Sequence, residues 1–416
     1  MATYINYGEG EEDATVQGAE WLKEMIAVNH GADEAQNFHD KFKDLHLDQS
    51  GRGQYDCAPV FDLFIQYSED LFSQIPEASA EKLVKEVESY FSLVLSMLQF
   101  LEEPGHLDRS TTRLCHLFSA SADQQPELRL RLLMMLYNTY NNPTIECRYK
   151  IFKYVLDFAA SAKLFDQVLP YLEFLDSWMV DWDPYLTVDD KRTLFRDISE
   201  YLRSLGKRLD AFLYLKRYHL HFQGADSSVL SSEEVQSQTL QLVKDALQLP
   251  TVIQFDDILG LDTVKALSNS QHKDLLGLCE VFLSGGVNDL KDFHSAHQTL
   301  FEEHDISFQE AMSKIRLLAL ATLVHGKSEM SLSEVANALE ESVDNVERWV
   351  VKALSEGVID GRIDQLNRKV LVKSSFQRKF EKEEWAFLDS KLSNWIDNLE
   401  NVIKFIGEQK KGVAVP

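Results

Sequence analysis

The chain has 416 residues, 44% hydrophobic and 26% charged, with a formal net charge of −25. That is enough for two or three domains with a real core, and it excludes a disordered chain and a phosphate backbone held over the whole surface. Four scattered cysteines without a C-x-x-C pair exclude a disulfide framework and fit a reducing compartment, so a cytoplasmic protein is expected.

The first residues are acidic, with no basic residue before Lys23, and do not read as a signal peptide. Residues 1–80 form a poorly defined acidic region, in which Gly51-Arg52-Gly53 and Ala58-Pro59 read as loop. A helix over Glu81–Leu101 follows. Its apolar run, from Tyr90, is broken by Ser92, Ser96 and Gln99 and is too short to span a bilayer, so no membrane contact is expected.

From Pro126 the helical period sharpens. Leu128, Leu132, Met135 and Leu136 share one face, and Asn141-Asn142-Pro143 ends that helix. Ile145, Tyr149, Phe152 and Leu156 repeat the spacing. Pro170 interrupts a third apolar run, with Trp178 and Trp182 near its end. Thr187-x-x-Asp190 resembles a capping box, and Gly206 suits the C′ position of the helix carrying Leu194, Ile198 and Leu202. The next helix sets Leu209, Phe212 and Leu213 on one side. Residues 81–305 thus predict successive helices that cannot bury their faces alone, a solenoid of degenerate repeats without a strict period.

Residues 306–378 change pattern. A helix over Ala311–Val324 precedes a short strand at Met330–Leu332. Ser333 is the expected cap of the next helix and Ser342 of the one after. In that helix Trp349, among Val346, Val350 and Ala353, is expected to fill the core. Gly357 ends it. Val358–Ile363 and Lys369–Val372 then predict two strands joined by Asp364–Arg368. Helix, strand, helix, helix, hairpin is the order of a winged helix. Residues 379–410 form one amphipathic helix. In it Trp385, Leu388, Leu392, Trp395, Leu399, Val402 and Ile406 alternate in steps of three and four, an a/d seam. That seam either packs back on its own winged helix or bundles with helices of other chains. The expectation for its halves is that Trp385 and Leu388 pack on the chain itself, while Trp395–Ile406 need a partner. The fold class is therefore mainly α: a right-handed helical-repeat (TPR/HEAT-like) solenoid, a winged-helix (α+β) module and a long C-terminal helix.

Chemistry-bearing motifs are sparse. No phosphate-binding loop, dinucleotide fingerprint or H-E-x-x-H occurs. His219-x-His221 invites comparison with MPN+ zinc isopeptidases, but Val229 and Ser232 stand where that motif needs Ser and Asp. His294-x-x-His297 with His304 lacks a completing Cys or Glu. No catalytic residue, metal or cofactor is expected. The winged helix raises nucleic acid as a rival function. Between Gly326 and Lys373, however, seven basic side chains face nine acidic ones, net −2. Sequence-specific DNA binding is not expected. On the wing, Arg362, Arg368 and Lys369 are candidates for an RNA phosphate contact without sequence readout.

Leu332-Ser333-Glu334-Val335-Ala336, Val346-Glu347-x-Trp349-Val350 and Gly357–Asp364, in this order behind a helical array, resemble the PCI-domain family, with the domain over roughly 206–374. Its members are subunits of the proteasome lid, the COP9 signalosome and translation initiation factor 3. Gln254-Phe255-Asp256, Lys314–Leu318, Ile363-Asp364-Gln365-x-Asn367 and Phe380 followed by Trp385 are most similar to M-type subunits of eukaryotic initiation factor 3. Gly361-Arg362 departs toward the general PCI pattern and keeps a COP9 subunit 7-like or proteasome-lid reading open. The resemblance implies a non-catalytic scaffold that supports initiation-complex assembly on the 40S ribosomal subunit. Its partners would be other initiation factor 3 subunits, met through the winged-helix sheet edge and a bundle formed by the C-terminal helix.

Overall fold

The structure is a computed structural model that describes residues 14–50, 57–74, 81–101, 103–140, 147–269, 272–379 and 382–412. Gly51-Arg52-Gly53, Asn141-Asn142-Pro143, Ile145 and Phe380 lie outside these. The chain divides into two compact units, one ending at Leu194 and one beginning at Phe195.

In the first unit, helices Ala14–His30, Ala32–Ser50 and Ala58–Tyr67 occupy the region where patterning shows little order. Ala58-Pro59 starts a helix rather than a loop. Pro59 sits in its first turn, where a missing N–H costs nothing. The helices pack around aromatic rings. Phe72, Phe91 and Phe118 meet with centroids 5.0–6.3 Å apart. Gly18 lets two helices approach closely, since a Cβ there would lie 2.4 Å from Leu93 Cδ2. Helices Glu81–Met97, Pro104–Ser119, Pro126–Thr139 and Cys147–Ser161 follow, and Leu128, Leu132 and Leu136 are buried as their spacing predicts.

Helix Val188–Ser204 carries the capping box seen in the sequence: Asp190 N–H donates to Thr187 Oγ1 at 3.1 Å, and Thr187 N–H donates to the Asp190 carboxylate at 3.0 Å. Gly206, at φ +76°, ends it. In helix Arg208–Leu220 of the second unit, Ala211, Phe212, Leu215 and Tyr218 are buried. Leu209 and Leu213 are exposed, against expectation. The apolar residues there exceed one face, and packing selects the 211/215/218 stripe. Asp245, fully buried on helix Glu233–Gln248, accepts two hydrogen bonds from the Arg203 guanidinium at 2.7 and 3.2 Å and one from Gln241 at 3.1 Å.

The winged helix is complete. Helix Phe308–Val324 leads to β1 (Glu329–Ser331), helices Leu332–Leu339 and Val343–Ser355, β2 (Ile359–Asp364) and β3 (Lys369–Ser375). The sheet order is β1-β3-β2, all antiparallel, with Val370 opposite both Met330 and Ile363. Ser331, not Ser333, is the cap of the second helix. It forms a capping box with Glu334, because the strand ends at Ser331, one residue earlier than its pattern suggests, and the helix starts at Leu332. Gly361 is required by geometry: a Cβ there would lie 2.3 Å from Leu371 O, at the bulge between Asp360 and Gly361. Trp349 is half-buried and not a core filler. Its ring lies on the rim of the core, with the Arg316 guanidinium 5.3 Å and the Lys352 ammonium 5.5 Å from its centroid. Trp349→Ala is therefore expected to cost about 2 kcal/mol, not the roughly 3–5 of a fully buried ring. Urea unfolding monitored by far-UV circular dichroism checks this value.

Candidate docking surface

Helix Lys382–Gly412 begins four residues after Arg378. Arg378 is buried and is held chiefly by backbone carbonyls at one helix end, with the Thr322 hydroxyl at 3.4 Å as its one side-chain acceptor among the described residues. It donates to Gly285 O at 2.9 Å, Val281 O at 3.2 Å and Phe282 O, the carbonyls closing helix Lys273–Ser284. Lys314, on helix Phe308–Val324, is likewise held by backbone carbonyls. Its ammonium donates to Leu249 O at 2.9 Å and to Ala246 O, and lies 4.8 Å from the centroid of Phe255. Arg129 repeats the device in the first unit, on Leu117 O and Phe118 O, with Phe72 3.9 Å beneath it. Carbonyls at a helix C-terminus carry partial negative charge, so each cation caps a helix without a carboxylate. Periodicity arguments count Lys and Arg as surface, which is why none of the three was legible.

Burial lowers the Lys314 ammonium to about 7, and the Arg378 and Arg129 guanidiniums to about 10. For Lys314 the folded state releases its proton near pH 7 and the unfolded chain near 10.4. Between these values the unfolded state binds more protons, so stability rises with pH. The penalty of burying the charge is present below pH 7 and is relieved above it. The stability difference between wild type and Lys314→Met should therefore move in favour of wild type by about 1–4 kcal/mol from pH 7 to pH 9.5. Denaturant melts of both proteins at the two pH values check the sign.

The terminal helix carries the whole predicted seam on its surface. Trp385 is 62% exposed, Trp395 68% and Leu399 62%, and Leu392, Val402 and Ile406 are about half exposed. Leu388, at 38%, is the least exposed of the seam. Near the start of the helix Phe387, off the seam, sets its ring edge-on to His325 of the winged-helix module at 6.3 Å. Ile396 and Ile403 are exposed beside the seam as well. They follow the d residues Trp395 and Val402 and widen this part of the seam to a three-in-seven stripe.

The other predicted positions are dispersed. Arg362 and Arg368 are exposed on the wing. Lys369 is tied to Glu329 at 2.8 Å, and this hydrogen-bonded carboxylate raises its pKa. His219 is buried, and burial lowers it to about 4. His221 stacks on Phe195, His294 lies against Phe301 and Phe308, and His297 against Phe293. Among the described residues no group of three or more His, Cys, Asp or Glu is placed to hold a metal, and no helix is long and apolar enough to cross a membrane.

Residues 290–374, from helix Val287–Ala296 to the end of β3, match the PCI domain. The chain carries a PCI domain over these residues. The matched span is shorter than the expected 206–374 and centres on the winged helix. This PCI chain is 27% identical over 335 residues to eukaryotic translation initiation factor 3 subunit M of Dictyostelium discoideum, covering 80% of this chain and 81% of that protein. It is 28% identical to the human protein of that name, covering 76% and 82%, and 27% identical to that of Nematostella vectensis, covering 76% and 81%. In the PCI chain the motif Lys314–Leu318 has a physical content: Lys314 caps one helix, and Arg316 pairs with Glu341 at 2.8 Å beside Trp349.

Proposed function

We propose that this PCI chain is a non-catalytic, cytoplasmic scaffold subunit of eukaryotic translation initiation factor 3, supporting initiation-complex assembly on the 40S ribosomal subunit through protein–protein contacts. The carrying observation is the terminal helix, whose exposed stripe includes Trp385 and Trp395. Each such side chain is worth about 1.5–3 kcal/mol when buried, and tryptophans are frequent hot spots. A three-in-seven stripe fits a multi-helix bundle better than a two-stranded coiled coil. The names of the relatives support the choice of complex. The edges of the sheet, β1 and β2, are the second proposed contact, by strand addition to a neighbouring subunit.

The wing residues Arg362, Arg368 and Lys369 are the proposed points of any RNA contact. The pairing of Lys369 with Glu329 leaves Arg362 and Arg368 the stronger pair. RNA binding by the purified chain should be weak and fall steeply with salt. A filter-binding titration at two salt concentrations tests this, and tight, salt-resistant binding would contradict it. The function itself is tested by purifying the tagged chain from cell extract and identifying what accompanies it. Initiation factor 3 subunits with 40S proteins are the expected result. Cullin-modifying or proteasome-lid subunits would overturn the reading.

A further inference from the structure

The segment from Leu164 to Asp190 holds seven carboxylates, six aromatic residues and no Lys or Arg. It folds as 3-10 turns Phe165–Gln167 and Leu169–Phe174, the short helix Leu175–Trp182 and the turn Asp183–Tyr185. Pro170 breaks the regular helix that the apolar run would otherwise make. The tight turns bring Tyr171, Phe174, Val180 and Tyr185 to the surface, Phe174 at 55% exposure. Beside them is a narrow slot lined by Met134, Tyr137, Phe152, Val155, Tyr171 and Trp178, of about 60 Å³. The Trp178 ring lies 5.3 Å from Phe152, 5.4 Å from Tyr137 and 6.2 Å from Phe174.

Exposed aromatic rings grouped around an apolar slot are not needed to fill a core, and such patches mark binding sites. The charge on the page selects the occupant. Glu173 directly precedes Phe174 in the chain and the Asp181 charge acts on Tyr137, so RNA would be repelled, and a second copy of this acidic face would be too. A guanidinium satisfies both features, since it stacks on aromatic faces and pairs with carboxylates. The cluster already holds one cation of its own chain: Arg148 lies 4.5 Å from the centroid of Tyr137. Asp183 pairs with Lys191 and is not available in the same way.

We propose that this surface docks a basic segment of a partner protein, with arginines stacked on Phe174 and Tyr171 and paired with Glu173 and Asp181, and a small apolar side chain in the slot. The site lies in the first unit and is separate from the terminal helix, so it does not rest on the function proposed above.

The test uses the full chain and a fluorescein-labelled twelve-residue peptide of alternating Arg and Leu, followed by anisotropy. Saturable binding is expected, with hydrogen-exchange protection confined to residues 165–185 and the slot-lining helices Pro126–Thr139 and Cys147–Ser161. The double variant Tyr171→Ser/Phe174→Ser should weaken binding about tenfold or more, and Phe174→Tyr should retain it. Both positions are exposed, and a melting curve checks that the variants are folded. Reversal of two carboxylates in the other unit, Asp274→Lys with Asp344→Lys, should change affinity by less than about twofold. Equal losses for the remote and local variants would reduce the effect to general acidity and overturn the proposal. So would protection spread over the chain, or a wild-type dimer that the double serine variant makes monomeric.

Discussion

Asp245→Ala should destabilise the second unit by about 3–5 kcal/mol, a large effect for a single polar side chain. The carboxylate is fully buried, with Arg203 bidentate on it, Gln241 bonded to it and Arg208 at 3.5 Å. Removing it leaves the Arg203 guanidinium facing a cavity without its counter-charge, which costs more than the pair contributes. Arg203 is 29% exposed and can recover part of its hydration, so the effect belongs at the lower end of that range. The double change Asp245→Leu/Arg203→Met should recover most of the loss, because neither member is then left unpaired. Urea melts of the single and double variants form the cycle that measures the coupling. Additive losses would mean that the pair is not coupled.

Truncation after Ser390 has the largest expected effect on assembly and almost none on folding. The residues removed include Leu392, Trp395, Leu399 and Val402, and the structure leaves each of them at least about half exposed. Little buried area is lost with them, so the melting temperature of the purified chain should stay within about 2 °C of wild type. Phe387 and its contact with His325 are retained. The truncated chain should also aggregate less, since a contiguous apolar stripe has gone. Differential scanning calorimetry with light scattering reads both. Loss of the cooperative transition on truncation would show that the seam belongs to the chain's own core.

Much of this architecture was written in local signals. The winged helix was legible because its elements have different periods and are separated by residues with fixed backbone roles, such as Gly357 at φ +71°. The Thr187/Asp190 box and Gly206 were legible for the same reason. What escaped were features set by tertiary packing. Leu209 and Leu213 satisfy a helical spacing as well as Phe212 does, and only the neighbouring helix decides which face turns inward. Trp349 sits among core residues in sequence, but two cations hold its ring at the rim. Lys314 and Arg378 read as surface until the carbonyls that receive them are known. In the terminal helix the a/d seam was legible, but Ile396 and Ile403, which widen it, fall outside a strict a/d heptad.

The most direct measurement is co-purification of the Leu399→Asp variant. This substitution places a charge in the middle of the exposed stripe without shortening the helix, and Leu399 is 62% exposed, so the isolated chain should melt as wild type does. In a partner bundle the same carboxylate would be desolvated without a counter-charge, at a cost of several kcal/mol. Tagged wild type and variant, expressed at equal levels and recovered from the same cells, should differ in one respect. The wild type should bring down initiation factor 3 subunits and 40S proteins, and the variant should come down without them. A folded Leu399→Asp chain that still recovers the full set would contradict the claim that the terminal helix joins this protein to its complex.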